Sequence, residues 1–401
     1  MDYPLKGLRV VEVSTWAAGP SCGMWMAEWG ADVIRVEPIE GDPARMLIQS
    51  GNAPVTEFNW FWELVNRSKR IIALDLKKDH SKKIVHKLVE KADIFIANLR
   101  PGTLKRASLD YDTLSKINPR LIYGQITGFG PKGPGTEWPA FDSLAYWARA
   151  GIEARLGEPG TPSVQELGSM GDHTTGMFAF GGIMLALYNR EKTGIGQRVD
   201  VSLLGTGIWV NGVDIQVVMT YNMEYPRESR KSMTNAFGNS YECKDGKWFH
   251  FEMLQSDKYW PAICRVLGRP DFEADERFSS HGRRMKNSVE LIAELDKIFI
   301  TKTRDEWGPL FTEAQMAWGP AQSALEATKD PCVIENNYIM EYEHPIHGKV
   351  RGIGCPIQLS KSPYKTPTCA PEYSQHTEEI LLELGYSWED ISIFKDEKVI
   401  P

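Results

Sequence analysis

Apolar positions along the first 130 residues recur with two alternating periods. Residues 8–13 (LRVVEV) are a β-branched run and read as a buried strand. Residues 17–31 follow with small side chains and then helix-compatible apolar spacing. Residues 32–38 (DVIRVEP) form a second strand run, stopped by Pro38 and the turn residues Gly41, Asp42 and Pro43. Strand, helix and strand in such a short span make a βαβ unit, which predicts a parallel sheet. The pattern repeats with a strand at 70–76 and an amphipathic helix at 81–92, whose apolar face is Ile84, Val85, Leu88 and Val89. Further strands are expected at 93–99 and 121–130. The expected class is α/β, with a Rossmann-like, doubly wound parallel sheet.

Residues 131–175 are rich in glycine and proline and read mainly as loop. Residues 176–190 then read as a helix in which Gly176, Ala179, Gly182 and Ala186 permit close packing. From about 225 the pattern changes. Residues 241–253 read as a hairpin around Asp245 and Gly246, and helices are expected at 258–268 and 288–300. Residues 345–371 return to loop and short strand, and 377–385 read as a terminal helix. The expected organisation is a large α/β domain begun by 1–205, a linker at 206–225 and a smaller α+β domain at 226–328. Residues 329–401 return to complete the large domain.

The 401 residues are 42% hydrophobic and 25% charged, which is ordinary for a globular chain and excludes disorder. A formal net charge of -7 argues against a nucleic-acid partner, which would need a basic stripe. No apolar run is long enough to span a membrane, and residues 1–13 lack the pattern of a signal peptide. Cys22, Cys243, Cys264, Cys332, Cys355 and Cys369 are scattered without a CxxC pair, which fits a cytoplasmic protein and small apolar packing roles. No metal-ligand spacing occurs among cysteines and histidines.

No GxGxxG follows the first strand, so an ordinary dinucleotide site has weak support. The sharpest candidate for chemistry is Gly171-Asp172-His173-Thr174-Thr175-Gly176, a carboxylate between glycines just before a helix. A helix N-terminus favours the ionised form. Such an aspartate is either a cap, the commoner role, or a nucleophile or general base. His173 beside it could orient a substrate or serve structure alone. In residues 98–106 (NLRPGTLKR), Arg100 and Arg106 stand near a strand's C-terminal end, where open parallel sheets bind ligands. Guanidinium groups suit phosphate oxygens there, or they are a solvated helix start. Lys69, Arg70, Lys77 and Lys78 bracket another strand and read mostly as surface charge. Asp142 lies among Phe141, Tyr146 and Trp147, which form either a site or core. Gly238, in residues 235–241 (NAFGNSY), marks a mobile lid or a turn.

Together these blocks closely resemble the class III CoA-transferase family, of the formyl-CoA and carnitine type. PLKGLRVVEV, AAGP, GADVIRVEP, ADIFIANLRPGTLKR, GDHTTGM and REKTGIGQRVDVSLL occur in the family's order, and TRDEW, HPIHGKV and SQHTEEIL continue it. The resemblance implies a large α/β domain and a small domain, in an interlocked homodimer. It implies that Asp172 is the catalytic nucleophile, forming anhydride and aspartyl-CoA thioester intermediates. It places CoA contacts at Ala17, Ala18, Leu74, Lys77, Asn98, Leu99, Arg100 and Arg106. Phe141, Asp142, His173 and Gly238 are the expected substrate-binding residues. Coenzyme A or acyl-CoA and a small carboxylic acid are then substrates, with no tightly bound cofactor and no metal. Pro38 stands where formyl-CoA transferases carry an arginine, and Phe237-Gly238-Asn239 is not the glycine-rich loop of that subfamily. The related α-methylacyl-CoA racemases, an alternative, place a histidine base where this chain has Phe141. Among transferases the likeness is to the (R)-2-hydroxyacyl group acting on phenyllactate or 2-hydroxyisocaproate in amino-acid fermentation. Bile-acid, carnitine and dicarboxylate transferases are the other candidates.

Overall fold

The computed structural model describes residues 2–49, 56–164 and 168–401. The chain divides into a larger unit, Met1–Ala154, Gln165–Glu224 and Asn337–Pro401, and a smaller one, Arg155–Val164 and Tyr225–Asn336. The larger unit is built on six parallel strands: β1 (Arg9–Val13), β2 (Asp32–Pro38), β3 (Arg70–Leu74), β4 (Ile94–Ala97), β5 (Ile122–Thr127) and β6 (Arg198–Ser202). Their spatial order is β3-β2-β1-β4-β5-β6, the doubly wound order of dinucleotide-binding folds.

Successive side chains of a strand face opposite ways, and both faces of this sheet are covered. Val11, Val13, Ile34, Val36, Ile72 and Phe95 join one apolar layer with the helix Asp79–Val89 and the C-terminal helices Thr377–Glu383 and Trp388–Asp396. Val10, Val33, Ile94, Ile96 and Ile122 join the other, against the helices Ala18–Glu28 and Met170–Thr193. Burial on both faces is why these strands read as nearly continuous β-branched runs. The edge strand β6 was not anticipated. Within its Arg-Val-Asp-Val-Ser run only Val199 and Val201 pack on the core, so the apolar signal is sparse.

Several expectations are corrected. Residues 206–225 are no linker: the helices Leu203–Val210 and Gly212–Tyr221 occupy most of that stretch. Gly207 there lets the helix approach Tyr146, whose carbonyl a Cβ would meet at 2.8 Å. The described residues of 131–175 are mainly loop, as expected, with a wide helical turn at Ser143–Ala148 and a helical one at Ile152–Arg155. The long helix begins at Met170 rather than 176, which puts Asp172 inside its first turn. Thr377–Glu383 is not terminal, because Ser387 caps a further helix, Trp388–Asp396.

In the smaller unit, Ser240–Glu242, Trp248–Phe251 and Trp318–Ala321 form an antiparallel sheet, and its first two strands make the expected hairpin. Tyr241, Phe249, Phe251, Phe299 and Phe311 fill its core, with ring centroids as near as 4.9 Å. Gly238 belongs to a turn held by Asn235, which accepts from the Gly238 N–H and donates to the Met253 carbonyl. With Ala236 and Phe237 buried beside it, the turn is built into that core.

Candidate active site

The order of strands reverses between β1 and β4, so the loops leaving their C-terminal ends diverge and open a crevice. A cavity of about 420 Å³ lies there. Thr15, Trp16 and Ala18 line it after β1, Asn98, Leu99, Arg100 and Pro101 after β4, and Ile126, Thr127 and Gly128 at the end of β5. Phe141, Leu203 and Asp172 complete the wall that matters most for chemistry.

Glycines place Asp172. A Cβ at Gly176 would stand 2.8 Å from the Ala18 carbonyl, so the long helix can lie directly on the first helix only with glycine there. A Cβ at Gly171 would meet the Tyr146 ring at 2.5 Å. The Gly171 N–H donates to the buried Asp142 carboxylate at 3.1 Å, which fixes the start of the helix. Ser169, the residue before the helix, has φ 66° and supplies no side-chain cap. Asp172 is therefore not the cap. Among the described residues no group donates a hydrogen bond to its carboxylate, which faces the cavity.

This corrects the expectation of a carboxylate kept readily ionised by the helix end. Burial, reinforced by the neighbouring Asp142, pushes the Asp172 carboxyl up to about 7. Desolvation penalises the charged form, and a second carboxylate adds like-charge repulsion. A carboxyl poised near neutrality, without hydrogen-bond donors, has its oxygens available to a substrate.

The other expected residues are only partly gathered. Asn98 lines the cavity, but its amide is engaged with the main chain of Thr15, accepting from the N–H at 2.9 Å and donating to the carbonyl at 2.7 Å. Arg100 is exposed at the rim. Ala17 is buried beside Ala18. Leu74 is fully buried in the core and offers only main chain, while Lys77 and Arg106 are exposed outside the cavity lining. Asp142 supports the helix rather than lining the cavity. His173 points elsewhere: its Nδ1 pairs with Ser21 Oγ at 2.8 Å, and it lines a separate, apolar cavity of about 390 Å³ with Met24, Trp25 and Met177. Burial lowers its pKa and favours the neutral ring.

Two features escaped the sequence reading. Trp16 sits in the cavity wall with a left-handed backbone, φ 61°. Behind the same loop lies a fully buried charge network. Glu12 pairs with Lys69 at 2.8 Å and Arg35 at 3.5 Å, and Arg35 also pairs with Asp42. Lys69 is therefore no surface charge, and desolvation lowers it to about 8. The signal available was charge inside apolar strand runs, Glu12 in VVEV and Arg35 in VIRVE. Among the described residues no group of three or more His, Cys, Asp or Glu side chains is placed to hold a metal ion. Nor is any helix there long and apolar enough to cross a membrane.

Comparison with known proteins agrees with this architecture. The chain is 33% identical over 397 residues to (R)-2-hydroxy-4-methylpentanoate CoA-transferase of Clostridioides difficile, covering 99% of each. It is 32% identical over 399 residues to cinnamoyl-CoA:phenyllactate CoA-transferase of Clostridium sporogenes, covering 98% of this chain and 97% of that one. The crystal structure of a CAIB/BAIF family protein from Brucella suis superposes with a TM-score of 0.84 at 29% identity, over 96% of this chain and 100% of the other. With a model of CoA-transferase family III matching residues 5–377, the chain belongs to that family and is a CoA-transferase.

Proposed function

We propose that the protein moves CoA from an acyl-CoA donor to a free 2-hydroxy acid, with Asp172 as the nucleophile. One observation carries this reading: the Asp172 carboxyl faces a cavity at the sheet's switch point with no hydrogen-bond donor on it among the described residues.

An Asp172 oxygen attacks the donor thioester carbonyl, the C–S bond breaks, and CoA thiolate leaves behind a mixed anhydride. The thiolate then attacks the aspartyl carbonyl, releasing the donor acid and leaving an aspartyl-CoA thioester. The acceptor carboxylate attacks that thioester, expelling thiolate and forming a second anhydride. Thiolate attack on its acyl carbonyl gives the new acyl-CoA and restores Asp172. Each step exchanges one activated carbonyl for another, so no net proton or nucleotide is consumed. A carboxylate is a weak nucleophile in water, but held reactants reach effective molarities of about 10⁵–10⁸ M. Excluding water protects the anhydrides.

Ala17, Ala18, Asn98, Leu99 and Arg100 are assigned to the pantetheine and pyrophosphate end of CoA, with Leu74, Lys77 and Arg106 toward the nucleotide. Phe141 and the cavity's apolar wall suit the tail of the acid, as do the substrates in the names of the two clostridial relatives. We assign the exposed apolar side chains Leu185, Tyr188, Trp209 and Val213 of the larger unit to a homodimer interface. The test is hydroxylamine trapping of an activated carboxyl at Asp172 after mixing with acyl-CoA, read by peptide mass spectrometry. A screen of free acids against acetyl-, cinnamoyl-, isocaproyl- and succinyl-CoA identifies donor and acceptor. Absence of Asp172 modification with every donor refutes the nucleophile assignment.

A further inference from the structure

The transfer chemistry does not explain the backbone of Trp16. Its φ of 61° is a conformation that a bulky residue adopts only where the surroundings impose it. Those surroundings are rigid. The Trp16 N–H faces both carboxylate oxygens of Asp42, at 3.4 and 3.3 Å. Asp42 is buried and ion-paired with Arg35, whose guanidinium also donates to the Ser14 carbonyl at 3.1 Å. On the other flank Asn98 clasps Thr15 through both atoms of its amide. Held on both sides, the loop contributes Trp16 to the wall of the cavity that contains Asp172. There the indole meets the ring of Phe141 edge to face, with centroids 5.8 Å apart. Phe141 is 53% exposed. Trp138, Pro139, Ala140 and Leu203 extend the apolar lining.

A strained main chain clamped by a buried ion pair is an unnecessary device if the ring only fills space, since an unstrained loop could bury an apolar residue equally well. It is useful if the ring must stand at a fixed place in the cavity. We propose that Trp16 and Phe141 form the wall that selects the side chain of the exchanged acid, favouring a branched aliphatic or aryl group over a small one. Asp42 and Arg35 are positioning residues that act through Trp16. The inference rests on the assignment of Asp172 as nucleophile.

The test uses two acids that differ only in side chain, (R)-2-hydroxy-4-methylpentanoate and (R)-lactate, competing for the best donor from the screen above. Thioester products are read by mass spectrometry. Wild type is expected to prefer the branched acid. Trp16→Ala and Phe141→Ala each lower the ratio of the two kcat/KM values about tenfold or more, the discrimination that a few methylene-sized contacts supply. Trp16→Gly removes the ring from a position that suits glycine, so it keeps thermal stability while losing the preference, and Trp16→Phe retains most of the preference. Asp42→Asn lowers the ratio less than Trp16→Gly does. Equal losses for both acids would make the rings supports for the loop or contacts to pantetheine, and would overturn the proposal. So would a wild-type enzyme indifferent to the two acids. Trapping at Asp172 in the same samples separates the readings: modified Asp172 with an unmoved ratio sinks the wall alone, and unmodified wild-type Asp172 sinks the reading beneath it.

Discussion

The network behind the first loop and the carboxyl at the head of the long helix both hold charge away from water, and the fold treats them in opposite ways. Glu12, Arg35, Asp42 and Lys69 neutralise one another, and Ser14 and Asn66 occupy further donor and acceptor positions. Asp172 receives no hydrogen bond or ion pair among the described residues, and its carboxyl neighbour, Asp142, raises its proton affinity. Compensated charge stiffens a loop, and uncompensated charge is available for reaction. A buried network is costly to assemble and more costly to break at one partner. An unpaired carboxyl is costly to ionise and gains on meeting an electrophile.

The largest effect that would break this comparison is on turnover. Asp172→Ala is expected to lower CoA exchange by about 10⁴-fold or more, as losses of covalent nucleophiles do. Retained turnover would place the reaction elsewhere. Next, Arg35→Met leaves Asp42 without its ion-pair partner and Glu12 with Lys69 alone. It should cost about 3–5 kcal/mol of stability, measured by denaturant unfolding, whereas a loss below about 1 kcal/mol would mean that the network is not the clamp described.

A smaller effect has the opposite sign. The folded Asp172 carboxyl is raised from 3.8 to about 7, so the folded state binds its proton more tightly than the unfolded state does. That costs nothing below about pH 4, grows as pH rises between the two values, and is complete above 7. Asp172→Asn should therefore gain about 1–3 kcal/mol at pH 8 and almost nothing at pH 4, a trade of activity for stability that thermal melts at both pH values would show. Smallest is the pH profile. Because the proposed nucleophile, Asp172, must be ionised, kcat/KM should rise with pH through about 7. Asp142→Asn keeps an oxygen for the Gly171 N–H but removes a like charge, so the midpoint should fall. An unmoved midpoint would leave burial as the sole cause.

Much of this molecule was readable along the chain. The strand runs around Val10, Val33, Ile71, Ile94 and Ile122 are apolar because both sheet faces are covered, and that local pattern survives in the sequence. Gly171-Asp172 and Gly176 marked the site for a related reason, since only glycine permits the close approaches to Tyr146 and Ala18. Other features left no such trace. The edge strand β6 buries too little to show a pattern. His173 follows Asp172 directly, yet a helix turns consecutive side chains about 100° apart, and it pairs with Ser21 instead.

Sequence alone determined the parallel α/β class, the order of its first five strands along the chain and the aspartate that the proposal makes the nucleophile. These follow from local periodicity and from residue types with few alternatives. Tertiary structure alone decided that the Asp172 carboxyl is raised, that Lys69 is interior and that Trp16 faces the cavity. Each of those depends on dielectric surroundings and on partners tens of residues away, such as Glu12 for Lys69 and Asp42 for Trp16. Neighbours along the chain do not encode such distances.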